Sequence, residues 1–281
     1  MDRARQLEEL IGMLIAEDGR RAGDIDIPED EGALYDLWRS LVNVREPRQA
    51  TPDYLRAEDA FLESELARKG VVDVPQPTRS TATGGPGLVI WRGDITRLAT
   101  DAIVNAANSR LLGCFEPCHD CIDNSIHTAA GVRLRLACAE LMDAQGAPEP
   151  TGRAKVTPAF NLPSRLVIHT VGPIVSDGRA TRRDEELLAS CYESCLDAAA
   201  KHHAESIAFC SISTGVFGFP KRRAAEIAVR TVRGWCAERA ADDRRDGDDS
   251  HSPGGHAPQT VVFDVFSEAD EQIYRELLES L

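Results

Sequence analysis

Three cysteines and one histidine lie within a short stretch of this sequence, GCFEPCHDCIDN at 113–124. Thiolates and imidazole are the ligands that Zn²⁺ prefers at tetrahedral sites. A cluster this dense indicates a disulfide knot, a closed structural zinc site, or a metal site that takes part in chemistry. The candidate ligands are Cys114, Cys118, His119 and Cys121.

A carboxylate follows the cluster directly. Asp123 and His127 are four residues apart in a segment with helical spacing, so both lie on one helix face beside the cluster. Two interpretations of Asp123 stay open: a carboxylate that positions or deprotonates water, and an acid favoured at a helix start by the helix dipole. We interpret His127, and His169 inside an apolar strand, as structural residues.

Three further polar stretches contain residue types suited to a ligand. GDIT offers Asp94 beside a tight turn, either to hold a polar group or only to cap the turn. NAANSRLLG offers Asn105 and Asn108, whose amides suit sugar hydroxyls. SISTGVFGFP at 211–220 is a glycine loop before a helix, which presents backbone N–H groups to an anion. Since no lysine lies within this loop, it suits a diphosphate and not a triphosphate.

These stretches lie where predicted strands end. The strand patterns are GLVIWRG, AIVNAA, RLVIHTVG, SIAFCSIS and QTVVFDVF, and helical patterns occur at 122–142, 184–203, 220–240 and 268–281. Strands that alternate with helices of this length predict a mostly parallel sheet covered by helices on both faces. Ligands of such sheets bind outside the carboxyl ends of the strands.

The residues before the first of these strands have a different pattern. Amphipathic helical spacing occurs at Arg3–Ala16, Glu31–Val42 and Asp53–Arg68. A stretch rich in Pro, Thr, Ser and Gly follows and marks a boundary. We expect the three helices to cover the sheet and not to recognise a partner.

This pattern divides the chain. We predict a helical N-terminal extension over 1–73, a linker over 74–86, and an α/β domain over 87–281 with an acidic exposed loop at 241–258. His251 and His256 lie in that loop and are not expected to bind metal.

Composition limits the partners and the compartment. The chain has 281 residues, 42% apolar and 28% charged, with a formal net charge of −14. This charge argues against nucleic acid as the main partner. The N-terminus lacks signal-peptide features and no apolar run is long enough to span a bilayer, so we expect a cytoplasmic protein that needs no membrane. Disulfides are rare in the cytoplasm, which disfavours the disulfide interpretation and predicts that the other five cysteines are inert core residues.

Five motifs together resemble the macrodomain family, whose members bind ADP-ribose. They are GDIT, DAIVNAAN, IDNSIHTAAG, VIHTVGP and STGVFGFP, in this order across about 87–281. The stretch LLGCFEPCHDCIDNSIH is similar to the zinc-dependent branch of that family, which has an N-terminal helical extension. The resemblance implies a three-layer α/β/α fold with a mostly parallel central sheet, preceded by a small helical region.

The resemblance also implies a ligand set for Zn²⁺. The zinc branch has a Cys, four residues, a His, one residue and a Cys, which corresponds here to Cys114, His119 and Cys121. Three protein ligands leave a fourth position open for chemistry. A closed site that includes Cys118, and a cluster without metal, stay open as alternatives.

Roles in binding ADP-ribose follow from the same resemblance. Asp94 would hold the adenine amino group with Ile95 beside it, and Asn108 would bind the distal ribose next to Asn124. Asp123 and Asn108 are the candidate catalytic residues. The glycine loop would hold the diphosphate through Ser213, Thr214, Gly215, Val216, Phe217, Gly218 and Phe219.

The implied activity is a zinc-dependent hydrolase that removes mono-ADP-ribose from modified protein side chains. Its expected partners are a mono-ADP-ribosylated protein, the product ADP-ribose, and a sirtuin-type ADP-ribosyltransferase with its carrier protein. Three alternatives stay open: removal of the acyl group from O-acetyl-ADP-ribose, non-catalytic binding of ADP-ribose, and a purely structural zinc protein. A non-catalytic binder needs no metal site, so the cysteine cluster counts against it.

Overall fold

The computed structural model describes residues 2–19, 23, 25–74, 86–245 and 256–280. Three helices come first: α1 (Arg3–Glu17), α2 (Glu31–Val44) and α3 (Pro52–Lys69). The side chains of Asp30 and Thr51 accept hydrogen bonds from free N–H groups at the starts of α2 and α3. The three predicted N-terminal helices are therefore confirmed to within two residues at each end.

The strands within these residues form two sheets. A short parallel pair joins β1 (Val72–Asp73) to β3 (Leu98–Ala99). The main sheet contains β2 (Gly87–Arg92), β4 (Ala102–Ala107), β5 (Ala154–Pro158), β6 (Leu166–Val171), β7 (Ser206–Phe209) and β8 (Thr260–Val265). Its spatial order is β2-β8-β7-β4-β6-β5, and every neighbouring pair is parallel except β5–β6.

The helices of the second part connect these strands. They are α4 (Ile122–Ala130), α5 (Val132–Gln145), α6 (Arg182–Lys201), α7 (Lys221–Arg245) and α8 (Glu268–Glu279). The mostly parallel sheet with its helices, preceded by a helical region, confirms the predicted fold class. In the described part of the chain, every helix is too short or too polar to cross a membrane.

Several predicted boundaries are wrong in detail. The single helix predicted at 122–142 is two helices, because Gly131 has a φ of 87° that ends α4 and begins α5. The antiparallel edge strand β5 was not predicted. The loop predicted at 241–258 is wrong for residues 241–245, which continue α7. Residues 246–255 and most of the predicted linker, 75–85, lie outside the described residues.

The buried apolar side chains form two clusters. The larger cluster surrounds the main sheet and contains Val104 and Ile168. The smaller cluster belongs to α1–α3 and contains Trp38 and Phe61, together with Val132 from α5. The N-terminal helices therefore share their core with α5, and α2 also contacts α4. This placement brings them beside the loop that precedes α4.

A buried carboxyl group joins the two parts at this junction. Glu58 of α3 accepts hydrogen bonds from the Val132 N–H at 3.0 Å and from the Tyr54 hydroxyl at 3.1 Å. Val132 begins α5, so Glu58 satisfies an N–H group that has no partner within the helix. Burial raises the pKa of Glu58 to about 7.

The junction predicts a pH-dependent effect of Glu58→Gln on stability. The folded-state pKa lies above the unfolded value, so ionisation of Glu58 lowers the free energy of unfolding as pH rises through about 4.5 to 7. Glutamine keeps an acceptor oxygen and does not ionise. Between pH 5 and pH 8, the free energy of unfolding of the variant should rise by about 1–3 kcal/mol relative to that of the parent, as measured by urea unfolding. The exposed Glu63→Gln on the same helix is the control, and a difference independent of pH would contradict the prediction.

Candidate functional site

A cleft of about 1280 Å³ opens at the carboxyl ends of the strands of the main sheet. Loops that follow β2, β4, β6, β7 and β8 line it, as expected for a parallel sheet. Residues of these loops and of the end of β8 that border the cleft are Asp94, Ile95, Asn108, Gly172, Ser213, Phe217, Asp264 and Phe266. The N-terminal helices also border it, through Tyr35, Arg39, Leu62, Glu65 and Lys69.

The loop between β4 and α4 brings together three of the four candidate metal ligands. The ligand atoms of Cys114, His119 and Cys121 all lie within 4.8 Å of one another. Cys114 Sγ is 3.6 Å from His119 Nδ1. Bonds of about 2.3 Å to sulfur and about 2.1 Å to nitrogen at a tetrahedral angle require a separation of about 3.6 Å. These donor atoms and their spacing fit one Zn²⁺ ion.

The surroundings of Cys121 disfavour its thiolate form when no cation is nearby. Burial raises the pKa of Cys121 to about 12, and the neighbouring Cys114 sulfur adds to the effect. Cys121 also caps α4, because its Sγ accepts a hydrogen bond from the Asn124 N–H at 3.4 Å. A bound metal deprotonates its thiol ligands, so the raised pKa makes metal binding dependent on pH.

Cys118 lies outside this group. Its backbone has a φ of 54°, and its Sγ donates to the Asp36 carbonyl of α2 at 3.2 Å. Its own N–H donates to Asn43 Oδ1 at 2.9 Å. The residue therefore attaches the loop to α2, and its thiol is directed to a different partner from those of the other two cysteines.

Helix α2 holds the same loop with a charged side chain. The Arg39 guanidinium donates to the His119 carbonyl at 2.8 Å and to Asn124 Oδ1 at 2.9 Å. Asn124 Nδ2 in turn donates to the Glu116 carbonyl at 3.0 Å. Asn124 was predicted to bind the ligand. The structure buries it instead, away from the cleft lining, where its amide holds the loop in place.

Asp123 borders the cleft beside the cysteine group and faces both asparagines of NAAN. Its Oδ1 accepts from Asn105 Nδ2 at 2.8 Å, and its Oδ2 lies 3.5 Å from Asn108 Nδ2. Burial raises the pKa of Asp123 to about 6. The structure thus brings the two candidate catalytic residues together, and Asp123 lies in the first turn of α4 as the alternative interpretation also required.

Two buried histidines lie near this carboxylate: His127 Nε2 is 3.5 Å from Asp123 Oδ1, and His169 contacts Asn105. The ring nitrogens of His169 lie 2.9 Å from Thr157 Oγ1 and 3.2 Å from Asn105 Nδ2. Burial lowers the pKa of His169 to about 3 and that of His127 well below its usual value, so both are neutral. His127, His169 and Cys138 lie close enough to hold a metal. The partners already bonded to His169 favour the structural interpretation.

Asp94 is both a turn residue and a cleft residue. Its Oδ1 accepts from the Thr96 N–H at 3.0 Å and from the Thr96 hydroxyl at 2.6 Å. Its Oδ2 lies 4.0 Å from Lys69 Nζ of α3. The turn role of Asp94 is therefore confirmed, and because capping uses one carboxylate oxygen, the other is left for the predicted contact with a ligand.

The glycine loop provides backbone donors at the middle of the cleft. In the described part of the chain, the N–H groups of Gly215, Val216 and Phe217 have no hydrogen-bond acceptor, and these residues border the cleft. The Val175 N–H donates to the Phe217 carbonyl at 2.7 Å, which joins this loop to the one after β6. Such a run of free N–H groups suits an anion. Of the predicted loop residues, Ser213 and Thr214 also border the cleft, whereas Gly218 and Phe219 do not and Phe219 is buried.

Two cleft residues were missed at the end of β8. Asp264 is a buried acid within the apolar stretch QTVVFDVF, and Phe266 is 90% exposed at the rim. A charged residue in an otherwise apolar strand is a signal that the sequence does contain. The strand pattern alone did not predict a role for Asp264, because the loop with Asp94 that lies beside it is about 170 residues earlier in the sequence.

Comparisons with known proteins agree with this geometry. A model of the Macro domain family matches residues 104–228. A protein-ADP-ribose hydrolase of Treponema medium is 48% identical over 269 residues, which cover 96% of each chain. A protein-ADP-ribose hydrolase of Staphylococcus aureus strain MSSA476 is 44% identical over 268 residues, 94% of this chain and 92% of its own. Both alignments are long enough to include most of the N-terminal helices.

Solved structures show the same fold. The Oceanobacillus iheyensis macrodomain with ADP has a TM-score of 0.60 at 37% identity, and the match covers 72% of this chain and 97% of its own. The Trypanosoma brucei macrodomain in complex with ADP-ribose has a TM-score of 0.57 at 28% identity, and the match covers 85% and 94%.

The contacts of Arg39 predict that it protects the cysteine loop. In a Cys118→Ser background with chelator present, Arg39→Ala should raise the rate at which a thiol reagent modifies Cys114 and Cys121 by about five- to tenfold, because hydrogen bonds from a charged donor hold the loop closed. The exposed Arg5→Ala on α1 is the matched control. Equal rates in the Arg39 and Arg5 variants would show that α2 does not hold the loop.

Proposed function

This chain belongs to the macrodomain family, and on that premise we propose that it removes mono-ADP-ribose from modified protein side chains by hydrolysis. The observation that carries the proposal is the convergence of Asp123, Asn108 and the Cys114–His119–Cys121 group at one end of one cleft. The relatives that cover nearly the whole chain are named protein-ADP-ribose hydrolases, which supports the same activity.

The cleft contains groups suited to each part of ADP-ribose. Asp94 offers a free carboxylate oxygen for the adenine amino group, with Ile95 beside it. The N–H groups of Gly215–Phe217 are suited to the diphosphate. Asn108 lies beside Asp123 at the opposite end, where the distal ribose and the scissile bond at its C1 atom are expected. We therefore orient the substrate with the protein side chain near the cysteine group.

We further propose that Cys114, His119 and Cys121 hold Zn²⁺ and leave one position open. The sulfur–nitrogen separation of 3.6 Å and the donor types support this assignment. When bound, the ion would supply Lewis acidity toward a ribose hydroxyl or a water molecule near neutral pH. Cys118 takes no part in this set, because its thiol donates to the Asp36 carbonyl.

Asp123 is the group placed to handle the proton of the attacking water. Asn105 fixes one carboxylate oxygen, and the other faces Asn108 at the cleft. Burial raises the pKa of Asp123 to about 6, so it is ionised at neutral pH yet more basic than an exposed aspartate. In the proposed step water adds to C1, the bond from C1 to the protein side chain breaks, and the proton from water passes to Asp123 before reaching the leaving group.

Other parts of the interpretation remain predictions. Cytoplasmic location is expected from the sequence pattern, and a sirtuin-type ADP-ribosyltransferase with its carrier protein is expected from the family resemblance. Deacylation of O-acetyl-ADP-ribose would use the same cleft and stays the alternative activity. A binder without catalysis would not need a buried basic carboxylate beside the distal ribose, and this arrangement favours the hydrolase.

The proposed ligand set predicts different zinc contents in two variants. Cys118→Ser should bind about one zinc ion per chain like the parent, whereas Cys121→Ser should lose most of its zinc, because a three-ligand site cannot spare a donor. Metal content is measured by mass spectrometry after dialysis. Equal loss in both variants would indicate a closed four-ligand site, and a zinc-free parent would overturn the metal assignment.

The role of Asp123 predicts the activity of Asp123→Asn. The amide keeps the hydrogen bond from Asn105 but cannot accept the proton, so turnover should fall by about 100-fold or more. Turnover is measured as free ADP-ribose released from a mono-ADP-ribosylated protein, and ADP-ribose binding should change only a few-fold. The exposed Glu140→Gln on α5 is the control. Turnover within a few-fold of the parent would exclude Asp123 as the base, and no release by the parent would overturn the proposed function.

A further inference from the structure

Asp264 is a buried acid that the proposed reaction does not use. It is near the carboxyl end of β8, where it pairs with Trp91 of β2, and it is only 8% exposed. Its carboxyl group accepts from the Gly93 N–H, while its Oδ1 has no hydrogen-bond partner in the described part of the chain. A buried polar atom without a partner is costly, and here it belongs to a residue that borders the cleft.

The position of Asp264 is at the adenine end of the cleft. Gly93, which donates to it, immediately precedes Asp94, and the charge of Asp94 acts on Asp264 directly. Phe266 lies two residues further along the chain and exposes its ring at the rim. Two acids and an aromatic ring therefore border the same part of the cleft, where the proposed function places the base.

Two acids can serve one adenine base if they differ in protonation. Adenine presents an amino donor next to ring nitrogen acceptors. An ionised carboxylate only accepts hydrogen bonds, whereas a protonated carboxyl group also donates one. Asp94 uses its Oδ1 in the turn, and its Oδ2, 4.0 Å from Lys69 Nζ, accepts no hydrogen bond in the described part of the chain, so it can accept from the adenine amino group. The hydrogen-bonding atoms of adenine that remain are ring nitrogen acceptors, so Asp264 can bond to them only as a donor.

We propose that Asp264 acts as a neutral carboxyl group that donates a hydrogen bond to a ring nitrogen of the adenine, while Asp94 accepts from the amino group. The assignment rests on the proposed function, because it takes ADP-ribose as the ligand. The proposal adds a second polar contact to the adenine, and this contact forms only when the Asp264 carboxyl group carries its proton.

The surroundings of Asp264 favour this protonation state. Burial, with a smaller contribution from the charge of Asp94, raises the pKa of Asp264 to about 8. The charge of Asp264 would in turn raise the pKa of its titratable neighbours Cys210 after β7 and Tyr274 of α8, neither of which is a cation. The neutral form is present below about pH 8 and disappears as pH rises through that value, so the affinity for the base should fall in the same range.

The test is the pH dependence of ADP-ribose binding, measured by calorimetric titration between pH 6.5 and 9.5. We expect the parent to lose about five- to tenfold in affinity above pH 8, because one hydrogen bond is lost. Asp264→Asn carries an amide donor at every pH, so its affinity should stay within about threefold of its value at pH 7. Asp264→Ala should bind about fivefold more weakly at pH 7, without the loss above pH 8. Asp143→Asn on α5 is the control and should follow the parent.

The outcomes separate this assignment from the proposed function. A parent that does not bind ADP-ribose at any pH would overturn both. A parent that binds ADP-ribose with a flat pH profile would overturn the role of Asp264 alone. The role of Asp264 would also be overturned if the affinity of Asp264→Asn fell above pH 8 as that of the parent does, since another group would then cause the loss of affinity. Parent and Asn variant differ at one buried oxygen, so they can be compared even if the Ala variant does not fold.

Discussion

The hydrogen bond between Asn105 and Asp123 is the interaction on which the arrangement of the cleft depends. Asn105 belongs to β4, an inner strand of the sheet, and Asp123 begins α4. The loop with all the candidate metal ligands lies between them, so this bond fixes both of its ends. Asn105 also contacts His169 of β6, which contacts Thr157 of β5. Each link of this buried polar chain restricts the position of Asp123.

The N-terminal helices complete the same loop from its outer side. Arg39 bonds the His119 carbonyl, Asn43 bonds the Cys118 N–H, and Glu58 joins α3 to the start of α5. The loop is therefore held between the sheet and the extension, and its shape depends on both. This explains physically why the extension and the cysteine loop belong together. The helices border the cleft as well, so they do more than cover the sheet as the sequence pattern suggested.

The sequence predicted the parts of the site that depend on local spacing. The helices, five of the strands and the grouping of Cys114, His119 and Cys121 follow from periodicity and from a family resemblance. The parts that failed depend on contacts between distant residues. Asn124 has the residue type of a ligand-binding amide, yet Arg39 engages it from 85 positions away. Gly131 breaks a helix with its φ of 87°, and Glu58 of α3 occupies the space where a side chain at this position would lie. No local pattern contains either partner.

Asp123 and Asp264 must be in opposite protonation states for their proposed roles to coexist. Asp123 acts as a base only when ionised, and Asp264 donates only when protonated. Burial raises both pKa values, to about 6 for Asp123 and about 8 for Asp264, where the charge of Asp94 adds to the effect. Between these values each acid is in the state that its role requires. A cation on the cysteine group would favour ionised Asp123 and so widen this range at its acidic side, but it would act less on Asp264 at the other end. The same residue type can therefore serve opposite functions within one cleft, because Asn105 and Arg135 lower the pKa of buried Asp123, whereas buried Asp264 has the Asp94 carboxylate as a neighbour that raises its pKa further.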